Sequence, residues 1–80
     1  MEIKRIEHLK LTKDLQIVAT FDDEITKSFD ARLLFDKNPV FKQLENVDLF
    51  MSGKIGPNGH AVVWNDQLDL AADSIYYDGK

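Results

Sequence analysis

The sequence contains no cysteine, so neither a disulfide nor a thiolate metal site can brace it, and packing alone must hold the fold. Proline occurs only twice and glycine four times; Gly53, Gly56, Pro57 and Gly59 fall within one short stretch. No apolar run is long enough to span a bilayer and no signal-peptide hydrophobic region is present, so the expectation is a soluble, cytoplasmic protein with no membrane partner. Basic runs are missing too. Nucleic-acid binders need a positive surface to displace counterions from phosphate. A net charge of −4 therefore disfavours direct binding to DNA or RNA.

What is present suits a globular chain. Hydrophobic residues make up 44% and charged residues 30%, which excludes wholesale disorder. Residues 1–80 make a single domain, near the size at which one core is only marginally stable. A second copy or a companion protein covering leftover apolar surface would help so small a core. The charge is unevenly spread: residues 1–40 carry seven basic and eight acidic side chains, residues 41–80 three and six. Asp66, Asp69, Asp73 and Asp78 account for much of that deficit.

The hydrophobic pattern predicts an α+β fold. Its antiparallel sheet comprises an N-terminal three-stranded meander and a C-terminal hairpin over about 48–64, with a short helix over about 38–45 between them and a short final helical turn. Ile3 to Leu11 reads as a first, irregular strand. Leu15, Ile17, Ala19 and Phe21 alternate with Gln16, Val18 and Thr20, the period-2 signature of a half-buried strand. Ile25 to Phe29 makes the third, and Asp30 can cap a helical turn carrying Leu33, Leu34 and Phe35. Asn38-Pro39 is a sharper start signal, a good N-cap followed by proline at the first helical position. Val40, Phe41 and Leu44 then share a face.

The stretch from Val47 to Trp64, with Phe50 in its first arm, reads as two strands. Gly56-Pro57-Asn58-Gly59 joins them in a type I turn closed by a glycine bulge. Trp64, the only tryptophan, is expected in the core against the helix or the meander. Asn65-Asp66-Gln67 makes a turn before an extended segment with Leu68 and Leu70. Asp73 can cap a last turn carrying Ile75 and Tyr76, and Tyr77 to Lys80 reads as a frayed end.

Phe21, Phe29-Asp30, Leu33-Leu34, Phe41, Leu44, Phe50, Gly59, Trp64, and Asp69-Leu70-Ala71 through Asp73 and Ile75-Tyr76 occur in a familiar order. Over roughly Ile6 to Tyr76 the chain resembles the bacterial family catalogued as domain of unknown function 2442. It departs at Glu24, where the family usually has a turn glycine, and at Ala72, where the family favours proline. Glutamate resists positive φ, so a loop wider than two residues is expected at Glu24. The resemblance implies a small α+β domain, alone or joined to a helix-turn-helix domain. Stand-alone members are often encoded beside another small protein, which implies a toxin–antitoxin-like or other paired role. It supplies no catalytic residues.

No catalytic, metal or cofactor constellation emerges from the residues. His8 and His60 alone have unperturbed pKa values near neutrality. Both occupy strand positions without an evident carboxylate or hydroxyl partner. Asp66, Asp69 and Asp73 do not match the spacing of a calcium loop. Ser28, Ser52 and Ser74 lack a nucleophile-elbow context, and no helix start follows the glycines to receive a phosphate. The function expected is a protein-interaction module with a protein partner or a second copy of itself, and Asp66, Asp69 and Tyr77 mark its candidate surface. The alternatives are a small-molecule or enzymatic pocket near His60 and the Asp66–Asp73 block, or an accessory part in DNA regulation.

Overall fold

The computed structural model describes residues 4–80. Six strands form two three-stranded antiparallel sheets, and with the helices they give an α+β fold. The first sheet is the meander: β1 (Ile6–Leu11), β2 (Gln16–Phe21) and β3 (Thr26–Asp30), in the order β1-β2-β3. Ile3, expected to open β1, lies outside the described residues. Alternation in β2 sends Ile17, Ala19 and Phe21 into the core. Phe29 follows them from β3, opposite Ile17.

Both meander turns have the same construction. Thr12 and Gln16 close a three-residue loop through Thr12 N–H to Gln16 O and Leu15 N–H to Thr12 O. Phe21 and Ile25 do the same through Phe21 N–H to Ile25 O and Glu24 N–H to Phe21 O. The last loop residue must take positive φ in this geometry. Leu15 does so at 64° and Glu24 at 71°, although neither is glycine. The wider loop expected around Glu24 is present, and the glutamate accepts the strained conformation within it.

Asp30 caps as expected. Its carboxylate accepts from Arg32 N–H, and a 3₁₀ turn covers Ala31–Leu34, burying Leu34 while Leu33 stays 57% exposed. Asn38 also caps as its sequence suggests, accepting from Val40 N–H with Pro39 first in the helix. That helix, Pro39–Glu45, is 3₁₀ rather than α. Three residues per turn set Phe41 and Leu44 in one row, and Leu44 is completely buried.

The C-terminal hairpin is present with a much shorter first arm than expected. Val47–Met51 is an α-helix, α1, and the arm shrinks to β4 (Lys54–Ile55), paired with β5 (Ala61–Asn65). The cause is Asn46, whose Oδ1 accepts from both Asp48 and Leu49 N–H and so closes the first turn of a helix. Its apolar run is too short for periodicity to separate strand from helix. Phe50, buried on α1, stacks on Trp64 with ring centroids 6.1 Å apart. The indole Nε1–H donates to Phe50 O at 2.9 Å, and Trp64 is a core residue, 8% exposed.

The turn between β4 and β5 also differs. Asn58 has φ 60° and ψ 12°, the third position of a type II turn, where type I requires negative φ. Gly59, at φ 74°, is buried against β1. A Cβ there would lie 2.7 Å from Ile6 O and 3.0 Å from Ile6 N. This approach locks the hairpin tip to the start of the meander.

The chain ends through β6 (Leu68–Ala71), paired with β5, and α2 (Ala72–Asp78). The second sheet therefore runs β4-β5-β6. Leu68 and Leu70 are buried while Asp69 and Ala71 are exposed, the alternation of a strand with one wet face. Asp73 does not cap α2. Ala71 holds that position without a side-chain bond, and Asp73 Oδ1 instead accepts from Lys4 N–H at 3.2 Å. Nor is the end frayed: α2 continues to Asp78, and Lys80 N–H donates to Ser28 O at 2.9 Å. Among the described residues no helix is long and apolar enough to cross a membrane.

Candidate functional site

The surface that follows Trp64 is built on the β5–β6 hairpin. Asn65 Oδ1 accepts from Gln67 N–H at 2.8 Å, an Asx turn that fixes the reversal and leaves Asp66 exposed at its tip. Asp66 borders a cavity of about 340 Å³ together with Lys54, Ile55, Pro57, Val63 and Trp64. Asp69 sits opposite Val63 on the exposed face of the sheet, and Val63 in turn lies opposite Lys54. Tyr77 is 66% exposed on α2, its ring edge-on to that of Tyr76 at 5.1 Å. Asp66 and Asp69 thus share one hairpin, and Tyr77 stands on the helix that follows it.

Spacing could not reveal a second cluster. Tyr76 O–H donates to Asp23 Oδ2 at 2.8 Å, across more than fifty residues of chain. Lys4 Nζ lies 3.6 Å from the same oxygen and 4.4 Å above the Tyr76 ring, with Lys27 Nζ 5.5 Å from it. The Tyr76 ring meets Phe21 edge-on at 5.0 Å. The Tyr76 hydroxyl holds the Asp23 carboxyl below the usual carboxylate range against the opposing effect of desolvation, and Ile25 N–H and Lys4 add to it. That same carboxylate pushes the Tyr76 phenol up. Tyr76 is half-buried and ties α2 to the tip of the β2–β3 hairpin. Its aromatic body packs on the core and its hydroxyl stays wet.

Asp30 forms a tighter pair. Arg32 donates to its two oxygens through Nε and Nη2 at 2.7–3.1 Å, a bidentate fork. The guanidinium, with Arg32 N–H and Gln16 adding to it, draws the Asp30 carboxyl down to about 2. Beside Asp30 a cavity of about 280 Å³ is lined by Phe29, Leu33, Asp78 and Lys80. The Asp30–Arg32 fork fixes the local turn and engages both oxygens of the Asp30 carboxylate.

The two histidines stand at different elements. His8 is exposed on β1, opposite Thr20. His60 precedes β5, and its carbonyl accepts from Ala72 N–H at 2.8 Å. Asp66 follows the other end of β5, so the hairpin sets His60 and Asp66 at opposite ends of one strand. The bond to His60 also accounts for Ala72: proline there would have no N–H to give. Among the described residues no three His, Cys, Asp or Glu side chains gather closely enough to hold a metal ion.

A family model described as "Protein of unknown function (DUF2442)" matches residues 6–80. No curated protein and no solved structure matches the chain.

Proposed function

Since the chain belongs to the DUF2442 family, whose description names no activity, we propose from its surface that it is a protein-interaction module. It acts by binding a companion protein in a paired role, toxin–antitoxin-like or otherwise. The observation that carries this reading is the charge of one continuous stretch of sequence and of its exposed side chains. From Ala61 to Gly79 the chain has four aspartates and no lysine, arginine or histidine. Asp66, Asp69 and Asp78 are exposed, and none of them is in an ion pair among the described residues. Tyr77, a residue type enriched at interfaces, stands exposed within the same segment.

Such a surface steers a basic partner by long-range attraction and gives the complex a strong salt dependence. It offers nothing comparable to another acidic chain. The test is light scattering on the chain purified from its native cell at low and high salt. A stoichiometric complex with one companion protein, dissociating as salt rises, is the expected result. A chain that elutes as a bare monomer at both salt concentrations overturns the proposal.

A further inference from the structure

We infer that the free edge of β6 is a strand-addition site. Its occupant is an extended segment of a partner protein in which a basic residue is flanked by apolar ones. The inference rests on the interaction reading above and names the place and the chemistry of the contact.

Among the described residues β6 is the terminal strand of its sheet and is hydrogen-bonded on one side only. Ala72 N–H donates to His60 O, and Val62 pairs with Leu70 two residues further along the ladder. Bonded and non-bonded pairs alternate in an antiparallel ladder. Val62–Leu70 is therefore a bonded pair, and Ala61–Ala71 and Val63–Asp69 are of the non-bonded kind. The N–H and C=O of Asp69 and the N–H of Ala71 consequently point away from β5. Both residues are exposed, and no hydrogen bond from the described residues reaches these three groups.

The other terminal strands are not equally open. The edge of β3 is already engaged by the end of the chain, its Ser28 O accepting from Lys80 N–H. β1 and β4 lie against each other, and β4 is only two residues long. β6 is the edge on which a further strand finds donors and an acceptor ready in register.

The side chains define what that strand carries. A residue opposite Asp69 would have its Cβ about 5 Å away on the exposed face, where an opposite charge is favourable. Lys54 lies on the same row of the sheet but beyond Val63, and among the described residues no ion pair involves Asp69, so that position is left to a lysine or arginine of the partner. The residues on either side turn to the other face, next to buried Leu68 and Leu70, and must be apolar. A second copy would instead bring its own Asp66, Asp69 and Asp73 to the same edge.

Ala71 provides a clean probe because its φ of −61° is already that of proline and its N–H is unused among the described residues. Ala71→Pro removes one outward donor and should leave the melting temperature unchanged or raised. The experiment titrates a short capped peptide of alternating valine and lysine into the labelled protein, followed by amide chemical shifts. The same valines and lysines arranged in two blocks, and a valine–glutamate peptide, serve as controls. The expected result is shift changes along Ala61–Ala71, binding weakened roughly tenfold or more by Ala71→Pro and by Asp69→Lys, and weaker binding of both controls. Asp69→Lys, an exposed substitution, carries the test if Ala71→Pro fails to fold. Undiminished affinity in both variants, shifts centred on another surface, or a concentration-dependent dimer through β6 overturns the inference. A native companion that stays bound to both variants likewise overturns the site, and leaves the interaction reading standing.

Discussion

Gly59→Ala tests how the two halves of the fold are locked together. Gly59 has φ 74°, and a methyl group there would meet Ile6 O at 2.7 Å and Ile6 N at 3.0 Å. The left-handed conformation costs an L-residue about 1 kcal/mol. Part of that is returned because alanine restricts the unfolded chain more than glycine does, by roughly 0.5 kcal/mol. The contact itself is with backbone, not with the tip of a side chain, so β1 or the hairpin must shift. Overpacking of this kind costs about 1–3 kcal/mol. The sum, about 1.5–3.5 kcal/mol, is a large fraction of the roughly 4–12 kcal/mol that stabilises a chain of this length. Asn58→Ala is the internal control. Asn58 has a similar φ of 60° but is exposed, so it pays the conformational cost of about 1 kcal/mol without the collision. Urea unfolding followed by the fluorescence of buried Trp64 reports both. If Gly59→Ala is no worse than Asn58→Ala, the close approach to Ile6 does not hold the hairpin to the meander.

Other expectations follow from single interactions. Glu24→Gly relieves a positive φ at an exposed side chain that makes no hydrogen bond among the described residues, and should raise stability by up to about 1 kcal/mol in the same urea assay. Trp64→Phe removes the indole donor to Phe50 O and part of a buried ring, and should cost about 2 kcal/mol, read by thermal unfolding. The pH dependence has two flanks. Asp23 and Asp30 have lowered folded pKa values, so their contribution is full above the unfolded value of 3.8 and is lost as pH falls through the folded values, about 2 for Asp30. For Asp30 this amounts to roughly 1 kcal/mol after allowance for solvent screening. Tyr76 is raised, so its contribution is full below pH 10 and is lost as pH climbs above that. Tyr76→Phe should flatten the alkaline flank of a melting-temperature profile and weaken the acid one, because Asp23 loses its donor.

Much of the fold could be read because local chemistry and burial agree. Alternation gave the second meander strand and its neighbours followed from short apolar runs beside it, while Asp30 and Asn38-Pro39 announced the two turns they cap. The α1 helix was not legible from Val47 to Met51 alone, since Val-Asp-Leu imitates a strand over so short a run. Asn46, a residue that prefers to cap, was the available signal. Leu15 and Glu24 hold positive φ because the hairpins on either side determine it, and no residue preference announces that. The Asp23–Tyr76–Lys4 cluster depends on tertiary approach and leaves no local trace. At the candidate surface, Asp66 and Asp69 were legible as wet positions of a turn and an alternating strand. The open edge was not, because which strand ends a sheet is decided by topology rather than by spacing.

Amide hydrogen exchange at β6 measures the central claim most directly. In the free protein the Leu70 and Val62 amides should be protected, while those of Asp69 and Ala71 exchange quickly. Adding the alternating valine–lysine peptide should slow Asp69 and Ala71 selectively and leave the amides of β3 as they were. Asp69 and Ala71 amides already protected in the free chain, or unaffected by saturating peptide, would contradict the account.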